Sequence, residues 1–255
     1  MKYTTFTLYF FVLSFNLYAS DLQREKRLAN EIADSIIDGE AIYLNSGNHK
    51  FLNIYMQSES TQLKGGAIIL HGRGFHPDWK DVASPLRIGL TEHGWHTLSV
   101  QMPVLDKQAK YYDYLPILPE AFPRIEAAIN FLKKQGLKNI ILIAHSCSVH
   151  MSMAWLEQSL DKNISAYIGI GMGATDYKQP MKKPFPLSQL TIPVLDIYGS
   201  NDFPGVINNA ASRLDMIKTA GNQKSGQRMI NDADHYFTEK DDILLSEVAQ
   251  WLDTL

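Results

Sequence analysis

Short apolar runs bounded by turn residues alternate with helical patterns along most of the chain, and this alternation constrains the fold more than any other property. Phe51 to Gln57, Ala67 to His71, His96 to Met102, Asn139 to Ala144, Ile164 to Ile170 and Ile192 to Tyr198 all have strand length. The second is continuously apolar, as a strand must be when both faces of its sheet are covered. Between the runs, Ile125, Ala128, Ile129 and Leu132 recur at helical spacing, with Gly136 placed to stop that helix. Val149 to Leu156 reads as helical, and Leu244, Val248 and Trp251 form a stripe on a closing helix. Leu22 to Asp38 is a polar, amphipathic start. The pattern predicts an α/β fold with a mainly parallel central sheet and helices on both faces. No repeat, low-complexity stretch or long linker interrupts it, so residues 20–255 are expected to form a single domain.

A chain of 255 residues, 45% of them hydrophobic, can bury a large core without disulfides or structural metals. Its formal charge is 24 − 27 = −3, which supplies no basic face for nucleic acid or anionic lipid, and both are excluded as main partners. Cys147 is the single cysteine, so an internal disulfide is impossible and no cysteine stands where a lipid anchor would need it. Residues 1–19 carry one charge, Lys2, and a mostly apolar run from Phe6 to Tyr18 that ends near the small residues Ala19 and Ser20. That run is shorter than the roughly 20 apolar residues needed to span a bilayer, and it reads as a secretory signal peptide. The expected mature protein has a charge of 23 − 27 = −4, is periplasmic or secreted, and has no stable membrane insertion.

The strongest chemical signal is Ile141-Leu-Ile-Ala144-His-Ser146-Cys147-Ser148, a buried strand that runs into a serine and then a helical pattern. This is the context of a nucleophile elbow, where strand and helix pass so closely that the residues two before and two after the serine must be small. Ala144 and Ser148 match the usual glycines in size, not in letters. A serine hydroxyl also needs a histidine to take its proton and a carboxylate to orient that histidine. Asp202 lies just past the Ile192 to Tyr198 strand, and His235 follows in a loop before the last helix.

With serine, acid and histidine in that order, the chain from about Phe51 to Leu255 resembles the α/β-hydrolase fold superfamily. The resemblance implies Ser146 as nucleophile, Asp202 as orienting acid and His235 as general base. It further implies that the turn His71-Gly72-Arg73-Gly74 contributes the Arg73 backbone N–H to an oxyanion hole completed by the N–H of Cys147. The chain looks like one of the exported bacterial serine hydrolases of that superfamily, acting on a carboxylic ester or similar small acyl substrate with no cofactor. The rival reading is a binding protein that keeps the fold without turnover, a reading that rests on Ala144 and Ser148.

Other candidates are weaker. Asp176 follows the Ile164 to Ile170 strand and is the alternative acid, whereas Asp196, Asp232 and Asp234 fit structural or solvated roles. Cys147, His145 and His150 read as packing groups, and Lys178, Lys182 and Lys183 as a solvated loop. Gly169-Ile-Gly171-Met-Gly173-Ala174 has the letters of a dinucleotide fingerprint, but the proline-rich stretch after it cannot supply the required helix. No metal-site spacing occurs among the histidines. Two proline-rich excursions, 103–123 and 176–190, remain. The first carries Tyr111, Tyr112 and Tyr114 without a helical period and is expected to wall the substrate pocket, with the second as the fallback.

Overall fold

A computed structural model of the chain describes residues 19–158 and 163–255, so the expected leader, apart from Ala19, lies outside the described residues. In chain order the elements are α1 (Leu22–Ala33), β1 (Glu40–Ser46), β2 (His49–Met56), β3 (Gly65–Leu70), α2 (Ala83–Glu92), β4 (Trp95–Val100), α3 (Tyr111–Tyr114), a 3-10 helix (Leu115–Ala121), α4 (Phe122–Lys134), β5 (Ile140–His145), α5 (Cys147–Gln158), β6 (Ala166–Ile170), β7 (Val194–Asn201), α6 (Pro204–Ile207), α7 (Ala210–Thr219), β8 (Gly226–Asp234) and α8 (Asp241–Leu252). The strands form one sheet in the order β1-β2-β4-β3-β5-β6-β7-β8. β2 is antiparallel to both β1 and β4, and every other neighbouring pair is parallel.

The continuous apolar runs are explained by what covers each face. Ile68, Leu70, Leu142 and Ala144 point into one core with the buried stripes of α4 and α5, while Ala67, Ile69, Ile141 and Ile143 point into another with α2 and α8. Each buried Leu or Ile contributes about 1.5–3 kcal/mol, so a polar residue on either face of β3 or β5 would cost heavily. The stripe Ile125, Ala128, Ile129, Leu132 is the buried face of α4, and Gly136 follows with φ 84°.

The structure adds elements that the apolar runs do not announce. β1 joins β2 through a two-residue turn at Gly47-Asn48, and β8 is a polar edge strand in which Ile230 and Ala233 are buried. The 103–123 excursion is not free of helix, since α3 and the 3-10 helix occupy its second half, with Tyr114, Ile117 and Ala121 in the core. α1 is tied in by a buried ion pair between Glu25 and Arg124 (2.9 Å), with His49 also on Glu25 (2.7 Å). The neighbouring Arg24 donates to the carbonyls of Leu105 and, at 3.0 Å, Gly74.

Candidate active site

Ser146 occupies the single residue between β5 and α5, with φ 57°. A side-chain-bearing residue in this left-handed region costs about 1 kcal/mol or more, and it persists only where its surroundings hold it. Here the Ser146 N–H donates to Ile170 O (2.9 Å), and Val149 N–H donates to Ser146 O (3.0 Å). The turn presents Oγ at the carboxyl edge of the sheet. Ala144 is fully buried under it, and the Ser148 hydroxyl donates to His71 O. Ser148 is therefore more than a stand-in for glycine, because its hydroxyl ties α5 to the turn after β3.

The register of the last two strands brings the acid to the histidine. Asn201 pairs with Asp234, so the next residues, Asp202 and His235, leave adjacent strand ends side by side. His235 Nδ1–H donates to Asp202 Oδ1 at 2.6 Å, and the Ser146 hydroxyl donates to His235 Nε2 at 2.7 Å. Asp202 Oδ1 also accepts from Phe203 N–H (2.7 Å), and the Phe203 ring stacks on the imidazole at 4.3 Å. His145 Nε2–H donates to His235 O (3.0 Å), which fixes the loop from behind. Gly199 allows β7 and β8 to meet here, as a Cβ would lie 2.2 Å from Ala233 O.

Gly171, at φ 62°, leaves room for the histidine, since a Cβ there would lie 2.7 Å from His235 Cε1. Gly171→Ala should slow the reaction of Ser146 with a fluorophosphonate about 100-fold, the order of loss that a misplacement near 1 Å produces. Labelling-rate measurements check this, and an unchanged rate would mean that His235 shifts without consequence.

Asp176 lies elsewhere. Its carboxylate is paired with the Arg73 guanidinium and accepts from Tyr111 N–H (2.7 Å). Partial burial raises its pKa, but the arginine and the amide outweigh that and hold it below the usual carboxylate range. Asp196 is buried on Arg213 (2.8 Å), and Asp234 Oδ1 accepts from the amides of Tyr236 (2.9 Å) and Thr238 (3.1 Å). Among the turn and cap bonds of the described residues, the amides of Arg73 and Cys147 donate to no carbonyl. The Cys147 thiol is pushed up to about 12 by burial, so it stays protonated. His71 spans the turn after β3, with Nδ1–H donating to Gly72 O (2.8 Å) and Nε2 accepting from Met102 N–H (2.9 Å). His150 Nε2–H donates to Ala174 O at 2.9 Å.

The expected tyrosine wall is corrected in two of its three members. Tyr114 is a core residue, 1% exposed, whose hydroxyl accepts from Leu105 N–H (3.0 Å), and burial pushes it up to about 12. Tyr112 faces the other excursion, where its hydroxyl donates to Pro180 O (3.1 Å) and its ring lies 4.0 Å from Lys182 Nζ. Tyr111 alone of the three lines the cleft beside Ser146, a space of about 290 Å³ that it shares with Arg73, Cys147, His150, Ala174, Thr175 and Phe203. Lys178, Lys182 and Lys183 are exposed, as expected of a solvated loop, with Lys183 in a surface pair with Glu157 and both Lys182 and Lys183 on the border of a neighbouring cavity. Gly171 and Gly173 form the turn after β6 at positive φ and open no helix. Phe203, Thr175 and Arg24 escape the sequence reading, because a ring after an acid and an arginine on a polar helix carry no local signal of the site, and Gly171 stands out there only as part of a dinucleotide-like run.

Among the described residues, no group of three His, Cys, Asp or Glu is placed to hold a metal ion, and no helix is long and apolar enough to cross a membrane.

The fold is shared with solved hydrolases at low identity. A serine hydrolase homologue from Coxiella burnetii matches with TM-score 0.64 and 15% identity, over 84% of this chain and 98% of its own. Est1E from Butyrivibrio proteoclasticus, also solved with ferulic acid bound, matches with TM-score 0.65 and 16% identity, over 83% and 97%. The dienelactone hydrolase of Anabaena variabilis matches with TM-score 0.61 and 15% identity, over 84% and 96%. No curated protein matches the chain in sequence. A family model does match, over residues 18–114 and 117–254. With its sheet order and these neighbours, the chain has the α/β-hydrolase fold and belongs to DUF3530, a family described as protein of unknown function.

Proposed function

We propose that the chain is an exported serine hydrolase that cleaves a carboxylic ester or related acyl bond through an acyl-enzyme on Ser146. The observation that carries this reading is the unbroken chain of short hydrogen bonds from Ser146 Oγ through His235 to Asp202, built on a strained turn. Two of the neighbours named above, Est1E with ferulic acid bound and a dienelactone hydrolase, are consistent with ester substrates. Export rests on the composition of residues 1–19.

In this mechanism His235 Nε2 takes the hydroxyl proton as Oγ attacks the carbonyl carbon, and Asp202 stabilises the imidazolium and holds its orientation. The Arg73 and Cys147 amides face the developing oxyanion, each donor contributing about 3–4 kcal/mol. His235 then protonates the leaving alcohol, and a water activated by the same nitrogen releases the acid. All of these groups come from the chain itself, so the chemistry requires no cofactor. A binding protein without turnover would have no need of a serine hydroxyl held on a base.

The test is labelling of the purified protein by a fluorophosphonate, which only an activated serine attacks quickly. Label is expected on Ser146 and lost in Ser146→Ala. An unlabelled wild type, or undiminished label in the variant, would favour the binding-protein reading.

A further inference from the structure

The cleft beside Ser146 has two unequal flanks. On one side it shares Tyr111 and His150 with an apolar cavity of about 560 Å³, walled in part by Leu118, Met153 and Phe185. On the other it shares Arg73, Thr175 and Phe203 with an open groove of about 920 Å³ along Tyr177 and Lys178. The first flank is shut. The Tyr111 and His150 rings sit 4.7 Å apart, and the two residues are 6% and 4% exposed. Both are also held, His150 by its bond to Ala174 O and Tyr111 by the bond of its amide to Asp176.

The inference rests on the serine-hydrolase reading. A leaving alcohol must take its proton from His235 Nε2, and Phe203 is the ring stacked on that imidazole. The alcohol therefore belongs on the Phe203 flank, which is open, and the acyl group on the Tyr111 flank, which is closed. We infer that Tyr111, seated against His150, restricts this protein to esters of short acyl groups, near acetyl in size, while a large alcohol is accommodated in the groove. The apolar cavity behind the two rings is the space a longer chain would need and does not reach.

The experiment compares p-nitrophenyl acetate, butyrate and octanoate, which vary the acyl group on one leaving group. Wild-type kcat/KM is expected to fall at least about tenfold from acetate to octanoate, and Tyr111→Ala to raise the octanoate-to-acetate ratio by about tenfold or more. Tyr111→Phe keeps the ring and should keep the preference. 4-Methylumbelliferyl acetate, which enlarges the alcohol instead, should be turned over within about tenfold of p-nitrophenyl acetate.

Octanoate hydrolysed as well as acetate by wild type overturns the inference however the variants fold. An unchanged ratio in a Tyr111→Ala protein with native circular dichroism does the same, and rejection of the larger alcohol overturns the assignment of the flanks. If Ser146 takes the fluorophosphonate label but no short ester is hydrolysed, the short-acyl inference fails and the activated serine stands. If no label forms, it is the underlying reading that fails.

Discussion

Asp202→Asn should lower kcat for a short ester by about four orders of magnitude, and Ser146→Ala by about six. The geometry gives the reason. Asp202 Oδ1 accepts the Nδ1–H of His235, which leaves Nε2 free of a proton and able to accept from Ser146. An asparagine can turn its amide donor toward Nδ1 and favour the opposite tautomer, whose Nε2–H cannot act as base. Asp176→Asn is the informative comparison, because that carboxylate contacts Arg73 and the Tyr111 amide instead of the histidine. Steady-state kinetics on p-nitrophenyl acetate decide the matter. An active Asp202→Asn beside a dead Asp176→Asn would transfer the acid role to Asp176.

Stability against urea should fall steeply between pH 6.5 and pH 5. His71, His145 and His150 are 2%, 2% and 4% exposed, and burial lowers their pKa values to about 3, 3 and 4. Hydrogen bonding agrees, since His71 Nε2 accepts an amide N–H and has no place for a proton. In the unfolded chain the same imidazoles protonate near pH 6.5. The unfolded state thus binds more protons throughout the window between the two sets of values. By linkage, stability is full above about pH 6.5 and is lost as pH falls toward the folded values.

At pH 5 the loss is about 2 kcal/mol per histidine, or about 6 kcal/mol for the three, against a typical total of about 5–15 kcal/mol. His76 and His96, lowered by their own burial, act in the same direction. Urea midpoints measured at the two pH values test this, and a midpoint that does not move would show that these imidazoles accept protons in the folded protein.

The interior of the sheet was legible in the sequence because β3, β5 and β6 are buried on both faces, and that condition writes itself as an apolar run, which in β7 is interrupted by the buried Asp196 on Arg213. Edge strands obey no such condition. β8 (Gly-Gln-Arg-Met-Ile-Asn-Asp-Ala-Asp) lets water reach most of its side chains, and Asp232 at φ 57° breaks what alternation it has, so it reads as a loop. β1 and its turn could have been found from Gly47-Asn48, a hairpin signal placed between two strand-like stretches.

For the candidate site, Ser146 and Asp202 were legible because each follows a strand that an apolar run announces, and sites in open α/β sheets form at strand ends, whereas His235, behind a strand that reads as a loop, was found from the serine, acid, histidine order. Side-chain direction was not legible. Tyr111, Tyr112 and Tyr114 share one short helix, and a rotation of about 100° per residue sends them to the cleft, the second excursion and the core respectively.

The base of the proposed triad follows an edge strand. β8 is bonded to β7 alone at the edge of the sheet, and the pairing is already irregular between Gly199 and Asn201. Edge elements open locally at a lower free energy than the whole domain. Fraying of the last few residues of β8 would carry His235 away from Ser146, 89 positions earlier in the chain, while β3, β5 and β6 stayed paired. Opening of one strand end would then be enough to dismantle the proposed triad, so such a molecule can lose its chemistry while nearly all of its sheet is intact.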